Sequence, residues 1–347
     1  MKLTVLIFYS LLISAISEQS KDSIGEIIAK GQMPNVIRDK SGTLHIVYGT
    51  GDSIMYLTSS DGAKKFSNPV LISKIRGLAA SHTRGPQIAV NQNELVLTAC
   101  NDLGDIFSFV MSQSGNWLAT GRVNDVDTVA KENLMSLSSE GSNTYAVWLD
   151  LRDGQNKIFA ARSSDGGRTW SKNKMIYTSP GKTVCECCKP SVAVDGSKLY
   201  IMFRNSIDGN RDMYLIRSDD YGNSFGAAQK LGMGSWALNG CPMDGGGIVV
   251  NNGIPQTVWN RKSVIYAAEP GKEEKEIGKG RNCTIESVNG ENIYAWVENG
   301  EIVVLKPGGV KLNLGKGLQP ALKAVDSNTV ICIWENEKQI HRALVGI

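Results

Sequence analysis

One short apolar pattern, repeated seven times, limits what this chain can become. Runs rich in β-branched and aromatic residues end on an aromatic or a cysteine: His45–Tyr48, Leu97–Cys100, Tyr145–Trp148, Tyr200–Phe203, Gln256–Trp259, Asn292–Trp296 and Val330–Trp334. The terminal residues Tyr48, Cys100, Trp148, Phe203, Trp259, Trp296 and Trp334 recur at intervals of 37 to 56 residues. Runs of this length and composition favour strands over helices. A further run follows each after a polar turn, as at Ser53–Thr58 and Lys157–Arg162. An inner run precedes each, often at a proline (Pro34, Pro86, Pro190, Pro242, Pro320), which is tolerated at the first residue of a strand. No amphipathic helix stands out. About four strands per repeat predicts an all-β fold, a β-propeller. The count is seven blades, with six as the alternative because the last repeats are short.

The chain ends fit a closed ring. The last repeat stops after its third strand, and Ile24–Lys30 resembles the segments Ile277-Gly278-Lys279-Gly280 and Leu314-Gly315-Lys316-Gly317 that precede later inner strands. This segment is expected to supply the missing outer strand, so that no sheet edge is left bare. The 37 glycines among 347 residues, without a Gly-X-Y period, then mark turns. Length alone would suggest two domains, whereas the repeat makes residues 18–347 one propeller domain. Residues 1–17 read as a signal peptide: Lys2, an apolar run from Leu3 to Ile16, and Ala15 and Ser17 at a small-x-small cleavage pattern. The run is too short to span a bilayer. A secreted or periplasmic protein with no integral membrane segment after cleavage is therefore expected. With 37 basic and 34 acidic residues, the charge gives no argument for a nucleic-acid partner.

Ser163-x-Asp165-x-Gly167-x-Thr169-Trp170 and Ser218-x-Asp220-x-Gly222-x-Ser224-Phe225 share one pattern, of which Ser59-x-Asp61-x-Ala63 is a degenerate copy. Each lies in the turn after a third strand, where the roles are structural. Serine and aspartate bond backbone groups, glycine supplies a positive φ, and the aromatic packs back. These turns resemble the Asp-box (BNR repeat) of the sialidase-like superfamily. The resemblance implies a propeller directed at sialylated or other glycans, by binding or by glycoside hydrolysis, at the channel mouth. If an enzyme, it would be an exo-α-sialidase-like glycosidase. Such enzymes hold the substrate carboxylate with three arginines, whose forks bind it bidentately, and use a tyrosine nucleophile. The resemblance puts Arg84, Arg204, Arg261 and Tyr266 forward as catalytic residues; Arg152, just after a second strand, Arg211 and Asp212, and Glu132, at the start of an inner strand, are the binding candidates. Thr83-Arg84-Gly85-Pro86 keeps the family's Arg-x-Pro spacing but sits in the second repeat, where the family has it in the first.

The cysteines form a second constellation. Stepping back about 14 residues from each anchor reaches Gln32, Arg84, Glu132, Cys188, Cys241, Cys283 and Gln319, the starts of the inner strands. Inner strands line a propeller's channel, so these starts gather at one mouth. Cys185 and Cys187 lie in the loop before Cys188. Two readings stand for this rim. In an exported protein the cysteines form disulfides that staple an interaction face. Alternatively, Cys185, Cys187, Cys188, Cys241, Cys283 and Met243 give a soft donor set for copper or zinc. Cys100 and Cys332 sit at anchor positions and are expected to be core thiols. The segments Val184–Pro190 and Gly240-Cys241-Pro242 also resemble an exported group of Asp-box proteins with CxCC and GCP motifs, usually labelled sialidase-like.

Overall fold

A computed structural model describes residues 25–92, 94–112 and 114–347. The signal-peptide expectation at residues 1–17 lies outside the described residues. Seven four-stranded antiparallel sheets stand around a common axis. Their inner strands are Gln32–Arg38, Gln87–Asn91, Met135–Glu140, Ser191–Asp195, Gly246–Asn251, Arg281–Val288 and Leu318–Ala324, which we take as blades 1 to 7. Blade 7 takes three strands from the C-terminus and its outer strand, Glu26–Lys30, from the N-terminus. Glu26 pairs with Arg342 and Lys30 with Gln339, which closes the ring of seven.

All seven anchors lie on the second strand of their blade, and each is at most 2% exposed. They hold the blades together through apolar seams. One such cluster joins Ile293, Ala295 and Val304 of blade 6 to Cys332, Trp334 and Ala343 of blade 7. The repeated glycines before the inner strands make room for the anchors. A Cβ at Gly278 or Gly280 would lie 2.4 or 2.6 Å from the Trp296 ring. Gly25 and Gly317 flank Trp334 in the same way, at 2.5 and 2.1 Å.

The short C-terminal repeats are complete blades without connecting loops. The outer strand Lys275–Lys279 of blade 5 is followed by Gly280 and then directly by the inner strand of blade 6. Blades 1 to 5 are instead joined by the long segments 75–86, 123–134, 178–190 and 231–245. Loop material is therefore concentrated on one arc of the mouth, and that arc carries Arg84, Cys185–Cys188 and Cys241.

The Ser-Asp-Gly turns are closed by their own side chains. Ser163 Oγ donates to Asp165 Oδ1 (2.7 Å) and accepts from Gly167 N (2.8 Å), while Thr169 N donates to Asp165 Oδ1 (2.9 Å). Ser218, Asp220, Gly222 and Ser224 repeat this geometry. Ser59, Asp61 and Ala63 also repeat it, with Ala63 accepting the positive φ. Trp170 and Phe225 pack against apolar clusters of their blades. The turns also dock on the preceding blade. Ser108 Oγ of blade 2 donates to Gly167 O (3.1 Å), and a Cβ at Gly167 would meet Val96 Cγ1 at 2.5 Å. With φ at 81° as well, Gly167→Val is expected to destabilise the protein by roughly 3 kcal/mol, from backbone strain plus overpacking. Urea unfolding measures this, and an unchanged midpoint would refute the docking role.

Candidate functional site at the channel mouth

The starts of the inner strands enclose a cavity of about 240 Å³ to which all seven blades contribute. Its polar wall includes Asn35, Gln87, Ser136, Lys189, Ser191 and Gln319. The strand starts are irregular: register shifts interrupt the inner strands of blades 1, 6 and 7, where Met33, Asn282 and Gln319 have positive φ. Side chains cross between blades here. Asn35 Oδ1 accepts from Ile88 N (3.2 Å), Ser136 Oγ donates to Pro190 O, and Ser191 Oγ donates to Gly246 O. These bonds fix the rim of the cavity.

Lys189 is the single lysine or arginine among the lining residues. Its Nζ donates to Gln87 Oε1 (2.8 Å), and Gln87 Nε2 is in turn held by Gly85 O and Pro86 O at 3.1 Å. No carboxylate forms an ion pair with it among the described residues. Though partly open to the channel, Lys189 is surrounded by protein, and that burial pushes its ammonium down to about 8. Asp244 is the only lining carboxylate. It is buried and accepts from Asn260 Nδ2 (2.8 Å) and Asn282 N (3.0 Å), and burial raises its pKa.

The cysteine loop lies beside this cavity. Cys187 and Cys241 form a disulfide that ties the loop before blade 4 to the loop before blade 5. Cys185 and Cys188 are buried free thiols, 3.4 Å apart at sulfur. The hydrogen bond from Cys188, helped by the charges of Arg211 and Arg204, holds the Cys185 thiol down to about 7 despite burial. Burial and the proximity of Cys185 push Cys188 the other way. Cys283 lines the channel in a different apolar cluster, beside Asp244, and burial raises its thiol. Met243 is on the surface, 39% exposed. Cys100 and Cys332 are buried free thiols on second strands.

The arginines and tyrosine are distributed differently. Arg204 is 1% exposed; its Nη1 and Nη2 donate to Arg211 O and Asn260 O, both at 2.8 Å. Arg211 pairs with Glu186 (2.8 Å) and Asp212 with Lys230 (3.0 Å). Arg261 pairs with Glu274 and stacks over the Tyr266 ring at 4.1 Å. Arg204, Arg211 and Arg261 border one tight crevice between blades 4 and 5. Arg84 borders another, between blades 1 and 2, donating to Glu132 O (2.7 Å) and His82 O (3.2 Å). Arg152 is held by Asp150 (2.8 Å) and Asp125 (3.3 Å). None of these five arginines, nor Tyr266, lines the channel cavity. Lys189 and Gln87 are not among the residues that the sequence motifs single out. The available signal was their position, one residue before Pro190 and one after Pro86, at the starts of inner strands.

No protein-family model matches the chain, and no curated protein sequence matches it. Solved structures do match in fold. The BP39L lectin from Burkholderia pseudomallei aligns over 92% of this chain and 97% of its own, with TM-score 0.67 and 10% identity. A protein of unknown function from Dyadobacter fermentans aligns over 94% and 99%, with TM-score 0.51 and 13% identity. The NanB sialidase from Streptococcus pneumoniae aligns over 92% of this chain and 69% of its own, with TM-score 0.46 and 12% identity. At these identities the likeness is one of fold.

Proposed function

We propose that this is an exported glycan-binding propeller that takes an acidic sugar residue at the channel mouth. The observation that carries the reading is Lys189. Among the described residues no carboxylate pairs with this lysine, which lines a cavity whose polar groups are mostly amides and hydroxyls, and Gln87 holds its ammonium in place. A sugar carboxylate would complete that ammonium's bonding, while Asn35, Ser191 and Gln319 present groups suited to ring hydroxyls. The lectin with the same ring supports a glycan reading, and the turns at Ser163 and Ser218 support Asp-box kinship.

Binding is favoured over hydrolysis. The cavity wall holds one carboxylate, Asp244, already committed to Asn260 and Asn282, and no tyrosine. Hydrolysis needs a second group to attack or to activate water. Calorimetric titration with neutral and acidic saccharides tests the reading. Acidic sugars are expected to bind, without release of product from a fluorogenic sialoside. Tight binding of neutral sugars alone would overturn it.

A further inference from the structure

We propose that Cys185, Cys187 and Cys188 form a site for one Cu(I) ion, and that the Cys187–Cys241 bridge keeps this site closed. The three sulfurs all lie within 4.8 Å of one another, with Cys185 3.8 Å from Cys187 and 3.4 Å from Cys188. Three thiolates around one ion at a metal–sulfur distance of about 2.3 Å sit roughly 4 Å apart, so the loop needs only small adjustments. Among the described residues, no histidine, carboxylate or fourth cysteine belongs to the group. Zinc prefers four ligands, whereas an all-sulfur set of three suits monovalent copper. The site is also dry: Cys185 is 0% and Cys188 1% exposed.

Two guanidiniums stand beside the sulfurs. Arg204 is almost wholly buried, forms no ion pair with a carboxylate among the described residues, and leaves its Nε without a hydrogen-bond partner. Its two other nitrogens meet only neutral carbonyls. Its field acts on the Asp244 carboxyl and on Cys185, Cys188 and Cys283, and Arg211 stands beside Cys185. One Cu(I) on three thiolates carries a net charge of two minus, and Arg204 and Arg211, the latter also paired with Glu186, stand on the side of that charge.

The chemistry balances. Two electrons from a dithiol, which becomes a disulfide, reduce the Cys187–Cys241 bond to two thiols. Cu(I) then replaces the three thiol protons of Cys185, Cys187 and Cys188, which pass to solvent. A bridged Cys187 has no thiolate to offer, so disulfide and three-sulfur site exclude each other.

The test is anaerobic competition for Cu(I) between the full chain and a chromogenic bicinchoninate chelator. The phosphine-reduced protein is expected to withhold one equivalent. The oxidised protein and Cys188→Ser are each expected to hold the ion at least about tenfold more weakly. Cys241→Ser and Cys283→Ser, prepared reduced, keep the full equivalent. Arg211→Gln is expected to weaken binding about tenfold, as loss of a supporting outer-shell group does. X-ray absorption of the copper-loaded protein is expected to show three sulfur neighbours. The proposal is overturned if the reduced protein leaves all Cu(I) with the chelator, if Zn(II) displaces it, or if folded Cys188→Ser and Cys185→Ser bind as tightly as the parent.

Discussion

A chain that begins at Gly31 is expected to lose the closed ring that a chain beginning at Gly25 retains. The difference is the strand Glu26–Lys30, which hydrogen-bonds along Gln339–Gly346 and completes blade 7. Without it, four paired residues are lost, together with the Arg342–Glu26 ion pair and the bond from Thr50 Oγ1 to Lys30 O (3.0 Å). Ile28 and Ala29 no longer cover the seam between blades 7 and 1, and Gly25 leaves the face of Trp334. Backbone bonds at about 1 kcal/mol each, plus the apolar cover, come to about 5 kcal/mol. That is comparable with the whole stability of many domains. The bare third strand is eight residues long and would also recruit a neighbour. Size-exclusion chromatography and thermal unfolding compare the two chains. Aggregation, or a large drop in midpoint, is expected for the shorter one. Equal midpoints would mean that the ring does not depend on N-terminal closure.

Arg204→Met is expected to destabilise the protein by about 3 kcal/mol. Arg204 is buried at the end of the second strand of blade 4; it bonds to Asn260 O on the second strand of blade 5 and to Arg211 O in its own blade's next turn, and its guanidinium lies 5.3 Å from the Trp236 ring. Methionine fills similar space but leaves the buried Asn260 carbonyl without this donor, at about 1–3 kcal/mol, and the half-buried Arg211 carbonyl at a smaller cost. Relief from burying the charge offsets part of that loss. Arg204→Lys retains the charge but cannot fork to both carbonyls, so an intermediate loss is expected. Urea unfolding of reduced protein reads both. A stability at or above the parent's would show that the buried charge costs more than its bonds return.

The ring was legible because a propeller repeats its demands. Each blade needs one large buried residue on its second strand, so the anchors Tyr48 through Trp334 stand out at regular intervals. Closure was legible for the same reason: glycines that fit against Trp296 recur against Trp334, and one of those, Gly25, lies at the other end of the chain. The short last repeats, which left six blades open as a count, lack connecting loops rather than strands.

The site was less legible. Sequence places Arg152, Arg204 and Arg261 at matching strand ends but does not say what captures them. Asp150, only two residues away, holds Arg152. Glu274, thirteen residues on, folds back across the outer edge of blade 5 to hold Arg261. The cysteine loop shows the same limit. Spacing brings Cys185, Cys187, Cys188 and Cys241 to one mouth, yet which sulfur meets Cys241 depends on loop direction. Cys283 starts from an equivalent position and instead faces the apolar wall beside Asp244. Lys189 resembles a spacer between Cys188 and Pro190, and only the converging blades reveal it as the cation of the channel.

The most direct measurement is therefore the affinity of Lys189→Met and Gln87→Ala, beside Arg84→Gln, for the acidic saccharide that the parent protein binds. Loss of a charged hydrogen bond in a confined cavity predicts about a 10–100-fold weaker dissociation constant for Lys189→Met, a smaller loss for Gln87→Ala, and parent affinity for Arg84→Gln. Unchanged affinity in Lys189→Met, with the loss falling on Arg84→Gln instead, would contradict a glycan site at the channel mouth.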